Sequence, residues 1–140
     1  MSDNYFLDTN IFVYTFSETE KRKKRIARKL ISESLSSEKA VISTQVIQEF
    51  INVAIHKFKE PLDINDCKVY LNNVMEPLCS VYPDNDLFSL GLDIKAETQY
   101  RFYDSLIIAA SIKGECSMLY TEDMQHNDKV KSVEIINPFL

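Results

Sequence analysis

Short apolar runs alternate along the chain with longer stretches whose apolar residues recur about every 3.6 positions. The runs at residues 5–7 (YFL), 40–42 (AVI), 78–82 (LCSVY, bracketed by Pro77 and Pro83), 117–120 (SMLY) and 133–136 (VEII) read as strands. Between them, Ile26, Leu30, Ile31 and Leu35 form one helical stripe, and Val46, Ile47, Phe50, Ile51, Ala54 and Phe58 form a second. Leu106, Ile107, Ala109, Ala110 and Ile112 make a third, whose small residues suit close packing of a helix on a sheet. Pro61 with Asp63 closes one helix and opens the next. Strands alternating with helices predict an α/β domain built on a mainly parallel sheet.

The length, 140 residues, suits one core, so residues 1–140 are expected to form a single domain. Hydrophobic residues at 45% and charged residues at 26% are ordinary for a folded domain and do not fit a disordered class. No apolar run approaches the roughly 20 residues of a membrane span. The opening MSDNYFLDTN carries no basic region ahead of an apolar stretch, so no secretory signal is expected. Cys67, Cys79 and Cys116 are odd in number and form no CxxC pair. They point to free thiols in a reducing, cytoplasmic setting and away from a zinc cluster or disulfide scaffold.

Scarce residues narrow the chemistry further. Gly91 and Gly114 are the two glycines, far apart, so a Gly-rich phosphate cradle is excluded. His56 and His126 are the two histidines, which excludes a histidine-rich metal site and leaves a Ser-His-Asp triad without support. Chemistry must then rest on carboxylates, hydroxyls and amides. The net charge of −5 agrees, and it argues weakly against indiscriminate binding to a polyanion.

Asp8 ends the first strand, Glu49 lies just inside the helix after the second, Asp104 sits near the start of an apolar helix, and Asp123 follows the fourth strand. In a parallel sheet, strand C-termini and the following helix N-termini share one edge, where ligands bind. Each aspartate taken singly also suits a helix cap or first turn. Glu49 lies too deep for a capping box if Ser43 or Thr44 is the cap. It shares a helical seam with Gln45, Asn52 and His56, which suits a cleft or a solvated flank equally. Four carboxylates on one edge repel unless a cation joins them, and hard oxygen ligands suit Mg²⁺ or Mn²⁺. Such ions lower the pKa of a bound water and clamp a phosphodiester, two of them lying about 3.5–4 Å apart. Asn10 and Thr121 are candidates for orienting Asp8 and Asp123 by hydrogen bonds, or for ordinary turn capping.

The ordered segments YFLDTNIFVY, ISTQVIQEF, FYDSLIIAA, LYTEDMQH and INPFL resemble the PIN-domain family, above all its VapC-type ribonuclease toxins of bacterial toxin–antitoxin pairs. The likeness runs nearly the full length. It implies a three-layer α/β/α sandwich around a parallel sheet of about five strands. It also implies a metal-dependent endoribonuclease leaving 5′-phosphate and 3′-hydroxyl ends, inhibited by a cognate antitoxin and assembled as a homodimer. By motif, Asp8, Glu49, Asp104 and Asp123 match the family's acids in order, and Asn10 and Thr121 its polar helpers. Ser105 departs from the alanine common after the third acid, and Asn127 from the glycine common after QH. Glu122, beside Asp123, is a competing acid, but neighbours on a turn point different ways.

Lys21, Arg22, Lys23, Lys24 and Arg25, followed by Arg28 and Lys29, concentrate positive charge in an acidic chain. Cations at a helix start oppose its dipole, so helix stability does not explain them. A solvated face, an RNA phosphate track and a dock for an acidic antitoxin segment all remain open. His126 could touch substrate, but it and His56 read as surface or flank residues. Tyr100, Arg101, Phe102 and Tyr103 are candidates for stacking on or contacting RNA, with core and helix packing the preferred reading for Phe102 and Tyr103. Two rival functions remain. One is a phosphohydrolase with Asp8 as nucleophile, for which Asn10 stands where a second acid is wanted; the other is a non-catalytic module binding through its acidic edge.

Overall fold

The computed structural model describes residues 2–140. Six strands form one sheet: β1 (Asn4–Leu7), β2 (Ala40–Ser43), β3 (Cys79–Val81), β4 (Cys116–Tyr120), β5 (Lys129–Val130) and β6 (Val133–Ile136). Six α-helices accompany them: α1 (Thr9–Tyr14), α2 (Lys21–Ser37), α3 (Thr44–His56), α4 (Ile64–Tyr70), α5 (Asn85–Glu97) and α6 (Phe102–Lys113). A π-helical turn, Leu71–Met75, and a 3₁₀ turn, Glu76–Leu78, lead from α4 into β3. All five expected strands are present. The addition is β5, a two-residue strand antiparallel to β6, whose exposed Lys129 gives no apolar run to read.

The sheet order is β3-β2-β1-β4-β6-β5, and every pairing except β5–β6 is parallel. Chain progress runs from β1 through β2 to β3, then returns to the other side of β1 with β4. Helices α1–α4 pack among themselves and α5 packs on α6. With right-handed crossovers, the reversal puts these two groups on opposite faces, giving the expected three-layer sandwich. It also makes the carboxyl ends of β1 and β4 a topological switch point, where open α/β sheets leave a crevice.

Phe6, Leu7, Ile42, Leu119 and Ile135 are fully buried between the layers. α6 is buried from Ser105 to Ser111, and its Ala109 and Ala110 bring it close to the sheet. Beyond its end, Gly114 has room for no side chain: a Cβ would stand 2.8 Å from Val41 Cγ1. Asp63 caps α4 by accepting from the Asp66 amide at 2.7 Å, as its position beside Pro61 predicts. Phe58 falls beyond the end of α3, yet still packs on the core against Phe16 and Phe50. Cys67, Cys79 and Cys116 are free thiols, as their spacing predicts. No helix among the described residues is long and apolar enough to cross a membrane.

Candidate functional site

The register of β1 and β4 builds the centre of the site. Leu7 pairs with Tyr120, and the Asp8 amide extends that ladder by donating to the Tyr120 carbonyl at 3.0 Å. Asp8 therefore lies beside Thr121, and the Thr121 hydroxyl donates to Asp8 Oδ2 at 2.7 Å. The other oxygen, Oδ1, accepts from the Thr9 amide at 2.7 Å and so caps α1. The cap and the site are thus the same carboxylate. Asp8 is only 4% exposed. Burial, reinforced by the charges of Asp123 and Glu49, pushes its carboxyl up to about 7 against the opposing bonds from Thr121 and Thr9.

The remaining acids reach the same place from different elements. α3 carries Glu49 inward, where Oε1 accepts from the Thr9 hydroxyl at 2.7 Å and Oε2 from Gln45 Nε2 at 3.3 Å. Ser43, at the helix start, makes no capping bond with its side chain, so Glu49 belongs to the cleft rather than to a cap. Asp104 occupies the first turn of α6. Burial raises its pKa; Arg101, 3.8 Å away, opposes this, while Asp123 and Glu49 add to it. Asp123 follows β4, its amide donating to Thr121 Oγ1 at 3.1 Å and its Oδ2 accepting from Asn10 Nδ2 at 3.0 Å. The two polar helpers serve crosswise: Thr121 holds Asp8, and Asn10 holds Asp123.

Asp8, Glu49, Asp104 and Asp123 all line one open cavity of about 620 Å³. Asn10, Gln45 and Asn52 share its wall, so the seam of Glu49 faces a cleft from Gln45 to Asn52, while His56 is not part of the lining. No three acidic, histidine or cysteine side chains among the described residues converge closely enough to hold an ion unaided. Each carboxylate leans instead on its own hydroxyl, amide or guanidinium partner, as mutually repelling charges do. The donor set nevertheless suits a hard divalent cation. All four ligand candidates offer oxygen, and two buried amide oxygens of the same wall, Asn10 Oδ1 and Gln45 Oε1, have no hydrogen-bond partner.

Glu122 is a fifth acid on the cavity wall, distinguished from the other four by its partners. Whereas the exposed Asp123 is held by Asn10, the Glu122 carboxylate is engaged: it pairs with Lys23 Nζ at 2.5 Å and accepts from the Tyr14 hydroxyl. This contact divides the basic run. Lys23 also lies over the Tyr14 ring, 5.0 Å from its centroid, and Arg22 Nη1 donates to the Phe139 carbonyl at 2.7 Å. Both residues tie the start of α2 to the rest of the fold. Lys24 lies 4.0 Å from Glu18, while Lys21 and Arg25 are exposed.

One other position departs from its preferred reading in three dimensions. Tyr103, expected to pack, is 67% exposed and stands at the cavity mouth, because the buried face of α6 begins at Ser105. Phe102 does pack on the core as expected. His126 accepts at Nδ1 from the Asn137 amide at 3.0 Å, which pins the C-terminal segment. Lys57, just past α3, lines the cavity without any prior expectation. Its spacing of two helical turns from Glu49 was the available signal.

The model of the PIN domain family matches residues 5–131, and the chain belongs to that family. Its fold is shared with a toxin–antitoxin complex from Klebsiella pneumoniae at a TM-score of 0.69, with 16% identity over 96% of this chain and 98% of that one. FitAcB from Neisseria gonorrhoeae is similar at a TM-score of 0.64, with 18% identity over 96% of this chain and 98% of that one. VapC20 from Mycobacterium tuberculosis, a toxin that cleaves the sarcin–ricin loop, is similar at 0.63, with 15% identity over 86% of this chain and 92% of that one. No curated protein matches the chain in sequence.

Proposed function

We propose that residues 1–140 act as one PIN domain that is a divalent-metal-dependent endoribonuclease, the VapC-like toxin of a toxin–antitoxin pair. The observation that carries this reading is the meeting of Asp8, Glu49, Asp104 and Asp123 in one cavity at the β1/β4 switch point. Family membership and a fold shared along nearly the whole chain with toxin structures support it.

Asp8, Glu49, Asp104 and Asp123 would hold Mg²⁺ or Mn²⁺. The bound ion supplies an activated water and charge neutralisation at a phosphodiester. The chain's own part is positioning. Thr121 and the Thr9 amide fix both oxygens of Asp8, and Asn10 fixes Asp123. Lys23 and Tyr14 keep Glu122 out of the ligand set. A cognate antitoxin and a homodimer in a reducing cytoplasm complete the reading. Within residues 21–25, Lys21 and Arg25, which have neither an ion pair nor a side-chain hydrogen bond, are the candidates for phosphate contact.

Cleavage of a mixed structured RNA pool, with Mn²⁺ and with chelator, alongside Asp8→Asn, tests it. Metal-dependent fragments that vanish in the variant are expected. Ion binding without cleavage would instead favour the acidic-edge binding module, and covalently trapped phosphate would favour the phosphohydrolase.

A further inference from the structure

The cavity described above is walled by carboxylates in a chain of net charge −5, so it repels the substrate it is assigned. Its mouth carries the opposite chemistry. Arg101 extends into solvent with its side chain 89% exposed, and Lys57 stands on the α3 side of the same cavity. Tyr103 lines the same cavity, large, aromatic and 67% exposed.

Tyr103 is exposed without being loose. It occupies the second position of α6, directly before Asp104. Its carbonyl accepts from Gln45 Nε2 at 3.3 Å, a bond that ties α6 to the helix bearing Glu49. Its ring lies edge-on to Phe102, with centroids 5.7 Å apart and planes at 63°, and Phe102 is packed on the core. The backbone of Tyr103 is thus anchored by two of the elements that place the acids, while its ring serves no core.

Resting on the ribonuclease reading, we propose that Tyr103 is a stacking platform for one unpaired nucleobase of the RNA, with Arg101 and Lys57 contacting the phosphates on either side. A fixed, exposed ring offers a π-face to any base, whereas a base inside a duplex has both faces covered. Cations at the rim offset the field of the acids where the backbone enters. A base held in a duplex cannot occupy this platform, so the Tyr103 contact is made only with an unpaired nucleotide.

The chain contains no tryptophan, so Tyr103→Trp places a single indole at the site. Its emission, followed in chelator so that no RNA is cut, reads stacking directly. A short oligoadenylate should quench it saturably, and annealing that strand to oligouridylate should remove most of the effect. In a parallel assay with end-labelled oligoadenylate, Tyr103→Ala should bind about tenfold more weakly, with Tyr103→Phe close to the unchanged protein. Absence of quenching by the single strand, or equal quenching by the duplex, overturns the proposal. If the unchanged protein cuts RNA in Mn²⁺ in that case, the ribonuclease reading survives alone. Saturable quenching without any cutting would keep the stacking site and discard the nuclease.

Discussion

The Thr121 hydroxyl donates to Asp8 Oδ2 at 2.7 Å and so joins the ends of two neighbouring parallel strands at a nearly sealed carboxylate. Thr121 also accepts from the Asp123 amide at 3.1 Å, so one hydroxyl is bonded to parts of two of the four acids. Thr121→Val removes these bonds while keeping shape. It should lower RNA cleavage by about 10–100-fold, the usual cost of losing a bond to a ligand residue. Thr121→Ser should retain activity. Steady-state cleavage rates for the two variants check this.

Burial of Asp8 makes stability depend on pH in an unusual direction for an aspartate. The folded protein holds the Asp8 proton up to about 7, whereas the unfolded chain releases it near the ordinary aspartate value of 3.8. This contribution is fully present below pH 3.8 and is lost as pH rises through about 7. Asn at position 8 keeps the helix cap and carries no charge. In thermal melts under chelator, Asp8→Asn should therefore be the more stable protein at pH 8, by about 2–4 kcal/mol, and show no such advantage at pH 4. Mn²⁺ should raise the melting temperature of the unchanged protein at pH 8 and leave that of Asp8→Asn in place. A variant less stable at both pH values would contradict the burial account.

The turn after β4 carries adjacent acids with different partners. Both line the cavity, but Glu122 is paired to Lys23 and Tyr14, whereas Asp123 accepts from Asn10. Glu122→Gln should cut RNA at nearly the original rate, with a stability change within about 1 kcal/mol because the Lys23 pair is partly exposed. Asp123→Asn should lose about 100-fold or more in rate. Rates and urea midpoints measured together distinguish the two.

Ser105 is fully buried in the first turns of α6, and its hydroxyl has no hydrogen-bond partner. Removing it relieves an unsatisfied polar group, so Ser105→Ala should stabilise the domain by about 1 kcal/mol. Urea unfolding reads the change, and Asp104 beside it should still support cleavage.

Alternation of apolar runs with helical stripes was enough to read five strands and the α/β class, because buried parallel strands need continuous apolar sequence. α5 was not legible in the same way. Its buried Leu87, Gly91 and Ile94 alternate with exposed Phe88 and Leu92, so apolar residues occur on both faces and the period blurs. The acids were legible because chain order alone delivers strand ends to one edge. Their crosswise partners were not, since the pairing of Asn10 with Asp123 and of Thr121 with Asp8 depends on the β1–β4 register. Tyr103 looked like a packing residue because it follows Phe102 and opens the apolar helix FYDSLIIAA; only the rotation of α6 decides which ring faces solvent.

The central claim is that four carboxylates form one metal-dependent centre for RNA cleavage. The most direct measurement is the cleavage rate of one defined RNA in Mg²⁺ by the unchanged protein, Asp8→Asn, Glu49→Gln, Asp104→Asn and Asp123→Asn. The account predicts a fall of about 100-fold or more in every variant, with the unchanged protein equally silenced by chelator. Variants that cut as fast as the unchanged protein, or cleavage indifferent to chelator, would contradict it.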